Sequence, residues 1–229
     1  MTRIVVIGFY TPDYAPLADR LSANLSAFGV ASKFYPHSVD GGWDRQLMAK
    51  PGIARKALAD FPDCAVVLMD VDCIIRGAID TIADFDADIA LHQRVKINGR
   101  RTSAWSSSRV VVFQQTPVAY KLAESWLNLC AAASHAVSKT PLDDEHLLSK
   151  AISTTPFLRV MTLPDTYAAH EIDEAPDDAV IVHQSAHAEQ RHAWALQRSL
   201  KAARRRVIGA VVGKPYNQWK YGGLGPNKT

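Results

Sequence analysis

The chain has 229 residues, 48% hydrophobic and 21% charged, with a formal net charge of +3. That is enough for one sizeable core, and it excludes the disordered and fibrous classes. No stretch approaches the ~20 consecutive apolar residues of a membrane span. Met1–Gly8 is too short for a signal peptide and lacks a small-residue cleavage site, so it reads as a first strand. Cys64, Cys73 and Cys130 have no metal-site spacing. They read as reduced thiols, which fits a cytoplasmic protein.

Arg3 to Phe9 is a β-branched apolar run closed by Thr11-Pro12-Asp13, the pattern of a buried strand. Pro16 then opens a helix. Leu17, Leu21, Leu25 and Phe28 recur at helical spacing, and Gly29 ends it. Ala31 to Tyr35 reads as a second strand, and Asp40-Gly41-Gly42 as a turn. The helical stretch that follows is interrupted by Pro51 and runs to about Ala59. Cys64 to Met69 is fully apolar and stops at Asp70, which suits a strand buried on both faces of a parallel sheet.

Ile89 to His92 and Val110 to Phe113 are further strands. Val95 to Ser108 has little apolar periodicity and reads as a long loop. Pro117 to about Ala136 is predicted helical, with Leu122, Trp126, Leu129 and Cys130 on one face. Pro141 to Ile152 is another helix, with Asp143, Asp144 and Glu145 in its first turn. Arg159 to Leu163 and Val180 to His183 are late strands. Ala188 to about Arg206 is a long helix, and residues 214–229 form a tail beyond a domain of residues 1–213. The strand–helix alternation predicts an α/β fold.

The chemistry concentrates in Leu68-Met69-Asp70-Val71-Asp72. Two acids leave the end of a buried strand one residue apart, and α/β folds place ligands beyond the carboxyl ends of their strands. A bare Asp-x-Asp also caps ordinary turns. Here apolar Cys73-Ile74-Ile75 follows directly, and acids between two apolar runs are costly unless something pairs with them. A hard cation, Mg2+ or Mn2+, takes such oxygen ligands together with phosphate oxygens. His183 ends an apolar strand and is a third ligand candidate, with His187 its neighbouring competitor.

These features resemble GT-A nucleotide-diphospho-sugar transferases, in the neighbourhood of the family 8 glycosyltransferases. The resemblance runs over roughly Arg3 to His187 and rests on the order and spacing of short motifs. It implies a mixed, mainly parallel Rossmann-like sheet flanked by helices, with Asp70 and Asp72 as the metal-holding Asp-x-Asp. Phe9, Tyr10, Thr11 and nearby Tyr14 fall where the nucleobase is gripped. Lys50 falls in the segment that carries a basic residue toward the phosphates. Asp144-Glu145-x-x-Leu148 resembles the Asp-Gln-x-x-Leu element that meets donor sugar and acceptor, making Asp144 and Glu145 the catalytic candidates. His183 ends the strand that supplies a metal-binding histidine. The chain departs from the pattern at Arg109, where glycine is usual, and at Glu145, where glutamine is common. The lysine-containing C-terminal phosphate motif of that family is not cleanly present, and Lys214, Lys220 or Arg191 are the candidates to serve instead.

The resemblance implies a UDP-sugar donor and a hydroxyl acceptor, and it leans to retention of configuration at the transferred sugar. Trp43 and Trp105 fall in predicted loops, as stackers on a base or sugar face or as lids on the core. Arg191, His192, Arg198, Lys201 and Arg204 to Arg206 make the 188–206 helix basic. It is either a solvated face or a surface for an anionic acceptor such as a glycan, lipid headgroup or nucleic acid. Two alternatives stand beside the transferase. A sugar nucleotidyltransferase calls for a Gly-rich basic loop after the first strand, and Gly8 to Asp13 lacks one. A non-catalytic module of the same fold would bind an anionic partner through the basic helix. A phosphatase with paired aspartates calls for its nucleophile just after the first strand, and Asp13 lies too far past Phe9.

Overall fold

The computed structural model describes residues 2–37, 46–98, 101–135, 143–170 and 175–184. By internal contacts the chain divides into Met1–Gln184 and Ser185–Thr229, and all described residues belong to the first unit. Trp43, the Asp40-Gly41-Gly42 turn, His187, the 188–206 helix, Lys214, Lys220 and the 214–229 tail lie outside the described residues. Among the described residues no helix is long and apolar enough to cross a membrane.

The elements in order are β1 (Ile4–Tyr10), α1 (Ala15–Ala27), β2 (Ala31–Pro36), α2 (Lys50–Asp60), β3 (Ala65–Met69), β4 (Cys73–Ile75), β5 (Ile89–Asn98), β6 (Arg101–Phe113), α3 (Pro117–His135), α4 (Asp144–Thr154), β7 (Val160–Thr162), β8 (Ala169–His170) and β9 (Ile181–His183). Six strands form one sheet in the order β2-β1-β3-β6-β5-β7, and β4-β9-β8 form a second. In the large sheet β6 runs antiparallel to both its neighbours, while β1 pairs parallel with β2 and β3, and β5 with β7. The result is a mixed, mainly parallel α/β sheet.

Side-chain alternation along the central strands builds two cores, one on each face. Val5, Ile7, Val66, Leu68, Val111 and Phe113 pack against α2, α3 and α4, with Trp126 fully buried among them. Val6, Val67, Met69, Val110 and Val112 pack on the other face with Leu21 and Leu25 of α1 and with Cys73, Ile75 and Ile181 of the small sheet. Covered on both sides, β3 is buried at every residue, as its unbroken apolar run predicts.

The N-terminal elements follow local chemistry. Gly29 takes φ 71° just past α1, and the Val30 amide donates to the Leu25 carbonyl at 3.0 Å, so glycine supplies the left-handed stop. Leu21 and Leu25 are buried as the spacing requires, whereas Phe28 at the helix end is 41% exposed. Pro51 does not interrupt its helix. It stands in the first turn of α2, where its missing N–H costs nothing. The expected loop at Val95 to Ser108 is instead a long antiparallel ribbon of β5 and β6, paired from Gln93↔Ser106 out to Asn98↔Arg101. Its β6 half is rich in polar residues, and the buried ones, Ser106, Ser107 and Ser108, are serines, so no apolar run marks it.

Candidate functional site

Three elements end at one place. β3 delivers Asp70, and a turn in which the Cys73 amide donates to the Asp70 carbonyl at 3.1 Å leads through Asp72 into β4. β9 pairs antiparallel with β4, setting His183 opposite Cys73, and the Gln184 amide donates to the Asp72 carbonyl at 2.8 Å. His183 Nε2 then lies 3.1 Å from Asp72 Oδ1 and 3.5 Å from Asp70 Oδ2. Asp70, Asp72 and His183 each offer one ligand atom, all within 4.8 Å of one another. Two carboxylate oxygens and an imidazole nitrogen so placed could hold a divalent metal ion.

Behind this group sits a buried ion network. Lys50 enters from the first turn of α2 with its side chain only 3% exposed. Its ammonium lies 2.9 Å from Asp70 Oδ1 and 3.1 Å from Asp144 Oδ2. It also donates to Ser108 Oγ at 3.0 Å, and that hydroxyl donates to Asp144 Oδ2 at 2.5 Å. Asp144 itself is 2% exposed. A buried cation between two carboxylates stays charged because each partner would otherwise be an unpaired buried charge.

The electrostatics follow. Burial pushes the Asp70 carboxyl up, but the Lys50 ammonium and the His183 ring outweigh it and bring it down to about 2. Burial pushes His183 down, and its contacts with Asp70 and Asp72 overcome this and raise it to about 9. Burial raises the Tyr14 phenol, and the charges of Asp72 and Asp13 raise it further, which puts Tyr14 within the field of the motif. The Cys73 thiol is pushed far up by burial and by Asp72 and Asp70.

The remaining candidates lie along the adjoining edges. Phe9 packs edge-on to His37 with ring centroids 5.5 Å apart, and the Tyr10 carbonyl accepts from the His37 amide at 2.8 Å. Thr11 is buried, and its hydroxyl donates to Asp13 Oδ1 at 2.5 Å. Glu145 is held on one side of α4: Oε2 accepts from Trp105 Nε1 at 2.8 Å and from Arg94 at 3.4 Å, and Oε1 from Ser107 Oγ at 3.1 Å.

The pairing of Lys50 with Asp70 and Asp144, and the parts played by Ser107 and Ser108, are not visible in the sequence. Arg94 is missed as well. The available signal is the alternation Arg94-Val95-Lys96-Ile97-Asn98, the period of a strand.

No protein-family model matches the chain, and no curated protein does. Solved structures do match. One is a glycosyltransferase involved in the glycosylation of the major capsid of PBCV-1, at TM-score 0.58 and 12% identity, covering 79% of this chain and 93% of that one. Another is the glycosyltransferase GlyE of Streptococcus pneumoniae TIGR4, at TM-score 0.52 and 14% identity, covering 80% of this chain. Its apo form matches at 0.52 and 15%. The chain spans 54% of the GlyE structures. The chain has the fold of these glycosyltransferases, in keeping with the GT-A pattern its motifs resemble.

Proposed function

We propose that the protein is a metal-dependent glycosyltransferase moving a sugar from a nucleotide diphosphate donor, a UDP-sugar by preference, to a hydroxyl acceptor. The observation that carries this reading is the convergence of Asp70, Asp72 and His183 at the carboxyl end of β3 in a glycosyltransferase fold. Mn2+ or Mg2+ held by these residues would neutralise the departing diphosphate. Asp72 reaches the site from the turn before β4 and His183 from β9, and Lys50 fixes Asp70 through Oδ1, leaving Oδ2 toward the His183 side. Phe9, Tyr10, Thr11 and Tyr14 border the motif from the end of β1 and receive the nucleotide. Asp144, oriented by Lys50 and Ser108, holds the donor sugar, and Glu145 lies beside it toward the β5–β6 ribbon. The basic 188–206 segment remains a candidate acceptor contact. The reduced thiols of Cys64, Cys73 and Cys130 accord with a cytoplasmic site of action.

The nucleotidyltransferase alternative is less favoured because the Gly8 to Asp13 loop brings no basic cluster to the site. A binding module of the same fold predicts no sugar release. The test is release of UDP from UDP-hexoses in the presence of Mn2+. The wild type is expected to release UDP and Asp72→Asn is not. Equal release by both would contradict the assignment.

A further inference from the structure

The described cations around the candidate site are committed, with one exception. Lys50 directs its ammonium at Asp70 Oδ1, Asp144 Oδ2 and Ser108 Oγ, at 2.9, 3.1 and 3.0 Å. That is one partner for each of its three N–H bonds. With its side chain 3% exposed, Lys50 keeps no donor to turn toward a phosphate. His183 lies against Asp70 and Asp72, and Arg94 bonds Glu145. Arg109 is the exception. Its backbone is tied in, the carbonyl accepting from the Asp70 amide at 3.1 Å. Its guanidinium has no carboxylate partner among the described residues.

The sheet order says where that charge stands. β6 flanks β3 on the side away from β1. Beyond the Met69↔Val110 pair, the next residues across the ladder are Asp70 and Arg109, about 4.8 Å apart as neighbouring strands are. Arg109 is half-buried. Burial, Asp72 and Asp70 push the Cys73 thiol up, and the Arg109 charge opposes them. The guanidinium is therefore felt where the Asp-x-Asp turn enters β4. Phe9 and Tyr10 end β1, while Asp144 is joined to β6 through Ser108. A donor laid across the strand ends has its nucleoside at β1, its diphosphate over β3, and its sugar-bearing phosphate toward β6.

We propose that Arg109 binds the donor's diphosphate, meeting the β-phosphate that carries the sugar. The inference rests on the transferase reading of the Asp70–Asp72–His183 centre. A guanidinium stays charged and presents a planar fork of N–H donors that matches two phosphate oxygens. Glycine, usual at this position in the resembled family, offers no such group. Arg109 thus takes the part that the resemblance gives to Lys50.

The test is calorimetric binding of UDP, UMP and Mn2+ to the full chain and to Arg109→Gln. With Mn2+ present, UDP is expected to bind Arg109→Gln about 10–100-fold more weakly than the wild type, as loss of one charge-assisted pair implies. UMP, which lacks the β-phosphate, is expected to change little. Mn2+ by itself is expected to bind the variant as tightly as the wild type, which shows that the fold and the metal site are intact. An unchanged UDP affinity, an equal loss for UMP and UDP, or a loss of Mn2+ binding in the variant would overturn the proposal and leave the transferase reading in place. A wild type that binds no UDP with Mn2+ would overturn both.

Discussion

Cys73 and His183 face each other across the β4–β9 ladder, so the residue directly after the Asp-x-Asp motif sets the position of the histidine that joins it. Backbone pairing alone brings these two parts of the candidate site together. His183→Ala removes one donor and leaves the ladder intact. Loss even of groups that merely support a metal ligand costs about 10–100-fold in affinity. Mn2+ affinity measured by calorimetry is therefore expected to fall at least tenfold, and an unchanged affinity would remove His183 from the site.

Lys50 neutralises two carboxylates in a place water barely reaches. Lys50→Met fills the space but leaves Asp70 and Asp144 without their counter-ion. Breaking a buried pair from one side costs about 3–5 kcal/mol. Denaturant unfolding at neutral pH is expected to show a loss of that order, and a loss below about 1 kcal/mol would mean that the network relaxes to water.

Gly8 lies where β1 passes the end of β3. A Cβ there would stand 2.5 Å from the Met69 carbonyl and 3.1 Å from the Phe34 ring. The carbonyl is backbone and cannot swing aside, so Gly8→Ala shifts Met69, and Asp70 with it. Overpacking of this kind costs about 1–3 kcal/mol. The expected signature is weaker Mn2+-dependent UDP binding than in Ile79→Val, a buried change in the second core. Equal binding in the two variants would show that β3 absorbs the methyl group.

Asp88 ties the sheet edge to α3. Its carboxylate accepts from the Thr116 hydroxyl and the Arg159 amide, each at 2.8 Å. Burial raises this carboxyl, but the Arg159 amide, the Thr116 hydroxyl and the Arg159 charge together lower it below the usual range. A depressed folded value means that stability is fully present above the unfolded pKa of ~3.9 and is lost as pH falls through the folded value. The wild type should therefore lose more stability on acidification below about pH 4 than Asp88→Asn. Parallel pH profiles from chemical unfolding would contradict this.

Some of this was legible in the sequence. The unbroken apolar run ending at Asp70 marked β3 as buried on both faces, and the acids at its end pointed to the place where Asp70, Asp72 and His183 come together. Val180 to Val182 marked the strand that carries His183. The partners of Lys50 were not legible, because Asp70 and Asp144 come from a strand end and a helix start distant in sequence and meet only through the sheet order. The β5–β6 ribbon is not legible as such because ladder hydrogen bonds form it and its buried residues, Ser106 to Ser108, are polar, leaving only the short alternation from Arg94 to Asn98 as a signal.

The most direct test is the thermal midpoint of the protein with UDP, GDP, CDP and ADP, each with and without Mn2+. The account predicts a rise with UDP that requires the metal and disappears in Asp72→Asn. No rise with any diphosphate, or a rise indifferent to Mn2+, would contradict the claim that Asp70, Asp72 and His183 hold a metal that binds the donor.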